Sequence, residues 1–296
     1  MFAVSKAPDD LVITPRDRRF FRGGTQKRFW LANNPVATAF YNALSVTLPY
    51  GEAFFIESVG AFRSSLPEKL AREVKAFVRQ EAIHSREHAA LNRNIASFNY
   101  DVSRLEEQVI GALSSLRGMS AMIRLTVTTV LEHYTAVLAA QFLTDDRLVK
   151  ERFEIDQVAL WCWHAMEEIE HKGVAYDVWL HATRNWSGVR RWSYRAISMI
   201  FVSLSFWKNR YRAITWLLAQ DGITGVRAHA KLLWYLFVNP GVQRKAIVPL
   251  LAFCLPGFHP WNKDDRDLIL EFDGNDRTPG RDPDSKCLAS VSDIAG

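Results

Sequence analysis

Two copies of Glu-x-x-His, Glu81 to His84 and Glu168 to His171, alternate along the chain with two lone glutamates, Glu52 and Glu132. On an α-helix, residues three and four apart share a face. Each pair therefore sets a carboxylate beside an imidazole if its segment is helical. His164 lies four residues before Glu168 and completes a stripe of three, while His88 extends the other stripe one turn past His84. Both stripes run through apolar sequence: Val74, Phe77 and Val78 precede one, and Leu160, Trp161 and Trp163 surround the other. Ionisable groups on an apolar face cost free energy unless something pairs with them. Divalent cations would neutralise the carboxylates and accept the imidazoles. A single Glu-x-x-His is common on solvated helix faces. Two copies in strict alternation with single glutamates are hard to obtain that way.

The segments around these residues read as helices. An irregular arm is expected over 1–30, then a first helix over about 35–63, kinked or restarted at Leu48-Pro49-Tyr50-Gly51 because proline lacks a donor and crowds the preceding turn. Pro67 marks the start of a second helix that runs to about Phe98. A third is expected over 105–143, with a break near Gly111 or Gly118, and a fourth over 146–184, capped by Asp145 and Asp146. Asp221-Gly222 and Asn239-Pro240-Gly241 divide 189–256 into two or three further helices. The Asp-, Pro-, Ser- and Gly-rich end reads as a flexible tail.

One Glu from each of two helices and a Glu-x-x-His from each of two others is the ligand set of two-metal carboxylate bundles. The expected fold is therefore all-α: a ferritin-like four-helix bundle over 31–186, an extension of C-terminal helices over 187–270, and a tail over 271–296. Glu52, Glu81, His84, Glu132, His164, Glu168 and His171 are the candidate metal ligands and catalytic residues. Carboxylate and imidazole without cysteine suit two Fe ions, with Mn or Zn as alternatives, held about 3.5–4 Å apart. His88, Glu167, His133, Thr128, Thr135 and Asp177 are candidates for the shell around them. His88 reads equally as a packed core histidine. Asp177 is placed either to orient a ligand histidine or to cap an ion pair. Small residues near Glu132 (Thr128, Thr129, Thr135, Ala136) leave room for dioxygen or substrate.

Composition narrows the partners. The net charge of +5 comes from scattered Lys and Arg, among them Arg16, Arg18, Arg19, Arg22 and Arg195, which read as a solvated surface; no nucleic-acid motif accompanies them. Three unpaired-looking cysteines and a polar N-terminus imply a reducing, cytoplasmic setting. The apolar run from Ile197 to Trp207 is too short to span a bilayer, which needs about 20 residues. It reads as a buried helix, with peripheral membrane contact through 189–220 as the alternative. The Trp-rich content of the extension (Trp192, Trp207, Trp216, Trp234) suggests core or a homodimer surface, or a lipid-like small-molecule substrate.

Four stretches then look familiar: Leu44 to Phe55, Gln80 to His88, Leu131 to Ala136 and Trp163 to Lys172. With Ile13-Thr14-Pro15-Arg16 and Pro256-Gly-Phe-His259-Pro-Trp261, they resemble a bacterial family of "predicted metal-dependent hydrolases" over about 10–265. The order of ligands, with His-x-x-x-Glu-x-x-His last, is also similar to di-iron enzymes of the p-aminobenzoate N-oxygenase type. That resemblance implies a histidine added to the usual six ligands, at His164. Three functions follow: a di-iron oxidase or oxygenase fed by an external electron donor, a two-metal hydrolase, or a non-catalytic iron-binding protein. A glutamate-rich site inside a bundle favours the first. His259 is a further candidate for reaching the site.

Overall fold

The computed structural model describes residues 7–275. It is all-α, and the lone backbone bridge among the described residues joins Thr25 to Ile155. The helices are α1 (Pro35–Gly60), α2 (Glu68–Ser97), α3 (Ser103–Arg117), α4 (Ala121–Leu143), α5 (Asp146–Val149), α6 (Asp156–His171), α7 (Val174–Ala182), α8 (Gly188–Gln220), α9 (Gly225–Phe237), α10 (Val242–Ala252) and α11 (Arg266–Asn275). α1 packs on α2, α4 on α6, α1 on α4, and α2 on α6 and α7. This closes a four-helix ring in which α6 and α7 together form the fourth member, an arrangement that fits a ferritin-like bundle.

The apolar core divides into two clusters, and the candidate ligands lie where each helix passes from one to the other. On α1, Val36 to Leu48 belong to the first cluster and Phe54 to Val59 to the second, with Glu52 between them. α2 runs the opposite way, from Val74 and Phe77 in the second cluster to Ile83 and Leu91 in the first. α4 runs as α2 does, from Leu125 to Phe142, and α6 with α7 runs as α1 does, from Val158 to Val178. Since α2 and α4 point the same way, the chain between them must travel back along the bundle. α3 makes that return, with Leu105 in the first cluster and Leu113 in the second. A single long crossover of this kind is the ferritin-like connection.

Several boundaries differ from expectation for local reasons. α1 is continuous through Pro49. The Ser45 carbonyl that Pro49 cannot serve accepts from Asn92 Nδ2 at 3.1 Å, so no orphan is left. The break in the third helix falls at Gly118, and Ser120 caps α4. The fourth helix is three pieces rather than one. Asp145 caps only the four-residue α5, and α6 opens at Asp156. α6 then stops at Lys172-Gly173, where a Cβ on Gly173 would stand 2.8 Å from Trp261 Nε1. Both expected breaks in the extension are present, giving α8, α9 and α10. α11 covers the start of the expected tail, so 271–275 are helical, and the remainder lies outside the described residues. The arm has no helix between its first described residues and Asn34, but it is packed: Phe20 N donates to Glu87 Oε2 at 2.9 Å.

Gly173→Ala tests the close approach of the 259–261 turn to the bundle. It is expected to lower the unfolding free energy by about 1–3 kcal/mol through overpacking. Gly111→Ala, in open space on α3, is expected to raise it by up to about 1 kcal/mol through helix propensity. Urea denaturation of both variants checks the opposite signs.

Candidate metal centre

All seven candidate ligands point into the belt between the two apolar clusters, and none is more than 3% exposed. Their donor atoms form overlapping trios within 4.8 Å: His84, His164 and Glu168; Glu52, Glu81 and His84; Glu81, Glu132 and His171. Glu52 comes from α1, Glu81 and His84 from α2, Glu132 from α4, and the other three from α6.

The tautomer of each histidine follows from its outer partner. Gln80 Nε2 donates to Glu170 Oε2 at 2.6 Å, so Gln80 Oε1 is left to accept from His171 Nδ1 at 3.0 Å. His171 Nε2 is then a lone pair, 3.1 Å from Glu81 Oε1 and 3.6 Å from oxygens of both Glu132 and Glu168. His84 Nε2 donates to Glu167 Oε2 at 3.0 Å, leaving Nδ1 facing inward without a partner. The third chain is longer. Asn92 Nδ2 donates to the Ser45 carbonyl, which orients Asn92 Oδ1 to accept from Ser45 Oγ at 2.7 Å. With its proton used, Ser45 Oγ accepts from His88 Nδ1 at 3.0 Å. His88 Nε2 in turn accepts from His164 Nδ1 at 3.2 Å. His164 Nε2 is left as a lone pair 3.2 Å from Glu168 Oε1.

Three inward lone pairs therefore stand among carboxylate oxygens. Glu52 Oε1, Glu168 Oε2 and both oxygens of Glu81 and Glu132 are buried without a hydrogen-bond donor. Acceptors facing acceptors at about 3 Å repel unless a cation lies between them. This is the observation that fits bound metal to the residues present. The electrostatics agree. Burial, with the Glu81 charge, holds the Glu52 and Glu132 carboxyls well above the usual range. Burial opposes charge on His171, but Glu168 and Glu81 outweigh it and hold its imidazole well above the ordinary value. The place thus favours positive charge, a proton where no metal ion competes for it. Burial and the neighbouring His164 push His84 and His88 well down, so both rings are neutral.

The surrounding candidates divide. His88 is within reach of Glu52 and His164, but both its nitrogens are occupied, so it orients His164. Glu167 orients His84, and burial raises its carboxyl to about 6 despite Arg16. Thr135 Oγ1 bonds the Glu132 carbonyl at 3.0 Å, not its carboxylate, while Thr128 Oγ1 is buried without a partner. His133 turns away to the Pro249 carbonyl at 2.9 Å and stacks on Phe253. Asp177 pairs with His259 at 3.0 Å, while the outer nitrogens of His171, His84 and His164 are taken by Gln80, Glu167 and His88 rather than by Asp177.

Sequence reasoning missed the outer layer. Arg16, read as a surface charge, is 14% exposed and binds Glu167 and Glu170 at 3.4 and 3.2 Å, with Asp273 at 3.0 Å. Arg195 is likewise buried, against Tyr176 and the Leu255 carbonyl. Ser45, Gln80 and Glu170 lie within the stretches that carry the family resemblance but had no role assigned to them, and Asn92 lies outside those stretches. Gln80 and Glu170 each directly precede a ligand, which is the signal that was available.

Four helices meet at a buried belt of carboxylates and inward imidazoles able to hold metal. A family model described as "Predicted metal-dependent hydrolase" matches residues 14–264, and the chain belongs to that family. No curated protein and no solved structure matches it. Gln80→Leu keeps the size of the side chain but removes the acceptor for His171. It is expected to weaken metal binding by about 10–100-fold, with helix content unchanged. Competition against a chromophoric chelator reads the affinity.

Proposed function

We propose that this chain is a two-metal enzyme that uses dioxygen to oxidise a small, largely apolar molecule. The ligand set carries this reading: four glutamates and three histidines, all on helices and sealed inside an apolar core. Such a set suits iron and is the pattern of di-iron carboxylate bundles. Glu52, Glu81, Glu132 and Glu168 would supply oxygen ligands, and His84, His164 and His171 nitrogen. Glu81, Glu132 and Glu168 all lie within 3.6 Å of His171 Nε2, so an ion held by His171 would have all three carboxylates within reach. Bound there, a redox-active pair supplies dioxygen reduction, whereas a redox-inert pair acidifies water for hydrolysis. The chain's own contribution is to hold every imidazole in one tautomer and to exclude bulk water. Neither a glycine-rich dinucleotide loop nor a cysteine cluster is present in the sequence, so electrons would come from a separate donor.

A cavity of about 510 Å³ adjoins the same helical turns. His133 and Lys172, the neighbours of Glu132 and His171, line it together with Ala136, Val248, Leu255 and Phe258. The largely apolar walls suit a substrate with an apolar body; of the lysines that also line the cavity, Lys172 and Lys263 pair with Asp265 at 3.0 and 2.8 Å.

Hydrolysis is the second reading, and the description of the family supports it. One experiment separates the two. The protein is purified anaerobically, loaded with Fe(II) and exposed to dioxygen while the visible spectrum is followed, with Glu168→Ala as control. An iron-dependent transient absorption and oxygen uptake, both absent from the control, are expected. Tight Zn or Mn binding with cleavage of an ester probe, and no response to dioxygen, would replace oxidation with hydrolysis.

A further inference from the structure

The helices after the bundle differ from the rest of the molecule in charge and exposure. Between Gly188 and Pro256 the sequence has ten Lys or Arg and one acidic residue, Asp221, although the whole chain carries only +5. Asp221 is committed to Arg28 and Tyr100 at 2.7 Å. Fifteen of the twenty large hydrophobic residues exposed among the described residues lie on this same segment. On α8, Ile197, Ile200, Phe201 and Leu204 follow helical spacing and are 53–69% exposed. They form one stripe, opposite the buried side of Arg195, Met199 and Arg210. Exposed Arg190 and Lys208 stand at its two ends.

We propose that this stripe docks the protein on an anionic phospholipid surface, with α8 lying in the plane of the headgroups. An apolar helix face flanked by basic residues, with no acidic ones, is the composition of an interfacial helix. Anionic lipid attracts such a face over roughly a Debye length. No helix among the described residues is long and apolar enough to cross a membrane, so the helix lies on the bilayer. A second copy of this chain is a poorer occupant. A two-fold contact would set the same basic residues against each other, and like charges across an interface are unfavourable. The placement suits the apolar cavity, whose wall includes exposed Val248 of α10 and Leu255 just after it, but the docking does not depend on that reading.

The test is flotation of the full chain with phosphatidylcholine vesicles, alone or with about 30% phosphatidylglycerol. Binding to the anionic vesicles only, released by high salt, is expected. The double variant Ile200→Glu/Phe201→Glu is expected to lower the bound fraction by about tenfold or more, with helix content unchanged. Val12→Glu, exposed outside the segment, is expected to bind as the parent does. Failure to float with anionic vesicles would overturn the proposal, as would flotation that neither salt nor the double variant reduces. Sedimentation showing a dimer that the double variant dissociates, without vesicle binding, would assign the stripe to a second copy instead.

Discussion

The structure is organised around a repulsion that a bound proton or metal ion relieves. His84, His164 and His171 each use the outer ring nitrogen as a donor and turn the inner lone pair toward carboxylates. Buried acceptors without donors are costly, and here they are concentrated in one belt. Each outer partner is itself fixed: Gln80 by Glu170, Glu167 by Arg16, and His88 by Ser45 and Asn92. The histidines are therefore constrained before any ion arrives, which is the condition for tight and selective binding.

That belt also explains the layout of the core. An uninterrupted apolar interior would leave no place for seven ionisable groups. Instead two clusters close off the belt from either end, and each helix changes cluster at its ligands. Pro49 serves the same end. By withholding its N–H it leaves the Ser45 carbonyl to Asn92, and so begins the chain of contacts that ends at His164.

The bundle and the convergence of its seven candidate ligands were legible in the sequence because helical spacing converts directly into a shared face. Glu81 with His84 needed no tertiary knowledge, and Gly118 and Gly222 punctuated the chain as their chemistry requires. What was not legible depends on segments far apart in sequence. Arg16 was read as a surface charge, although it stands in the Ile13-Thr14-Pro15-Arg16 stretch, because its partners come together only when the arm folds over α6. The stop at Gly173 is set by Trp261, whose approach no local pattern announces. Asp177 sat at a reasonable register for orienting a ligand, but its helix is a separate piece after that stop, and its partner is His259.

Arg16 joins the two extremities of the described chain, since its partners include Glu170 in the bundle and Asp273 near the far end. Synthesis is vectorial, so these parts emerge at different times. The ligand-bearing helices are complete by His171, while Asp273 appears about a hundred residues later, several seconds at a ribosomal pace of roughly 5–20 residues per second. During that interval one side of the clasp is still open. Once α11 settles on α6, the same arginine bridges the N-terminal arm, the bundle and α11 beside the belt, and the order of translation becomes an order of closing.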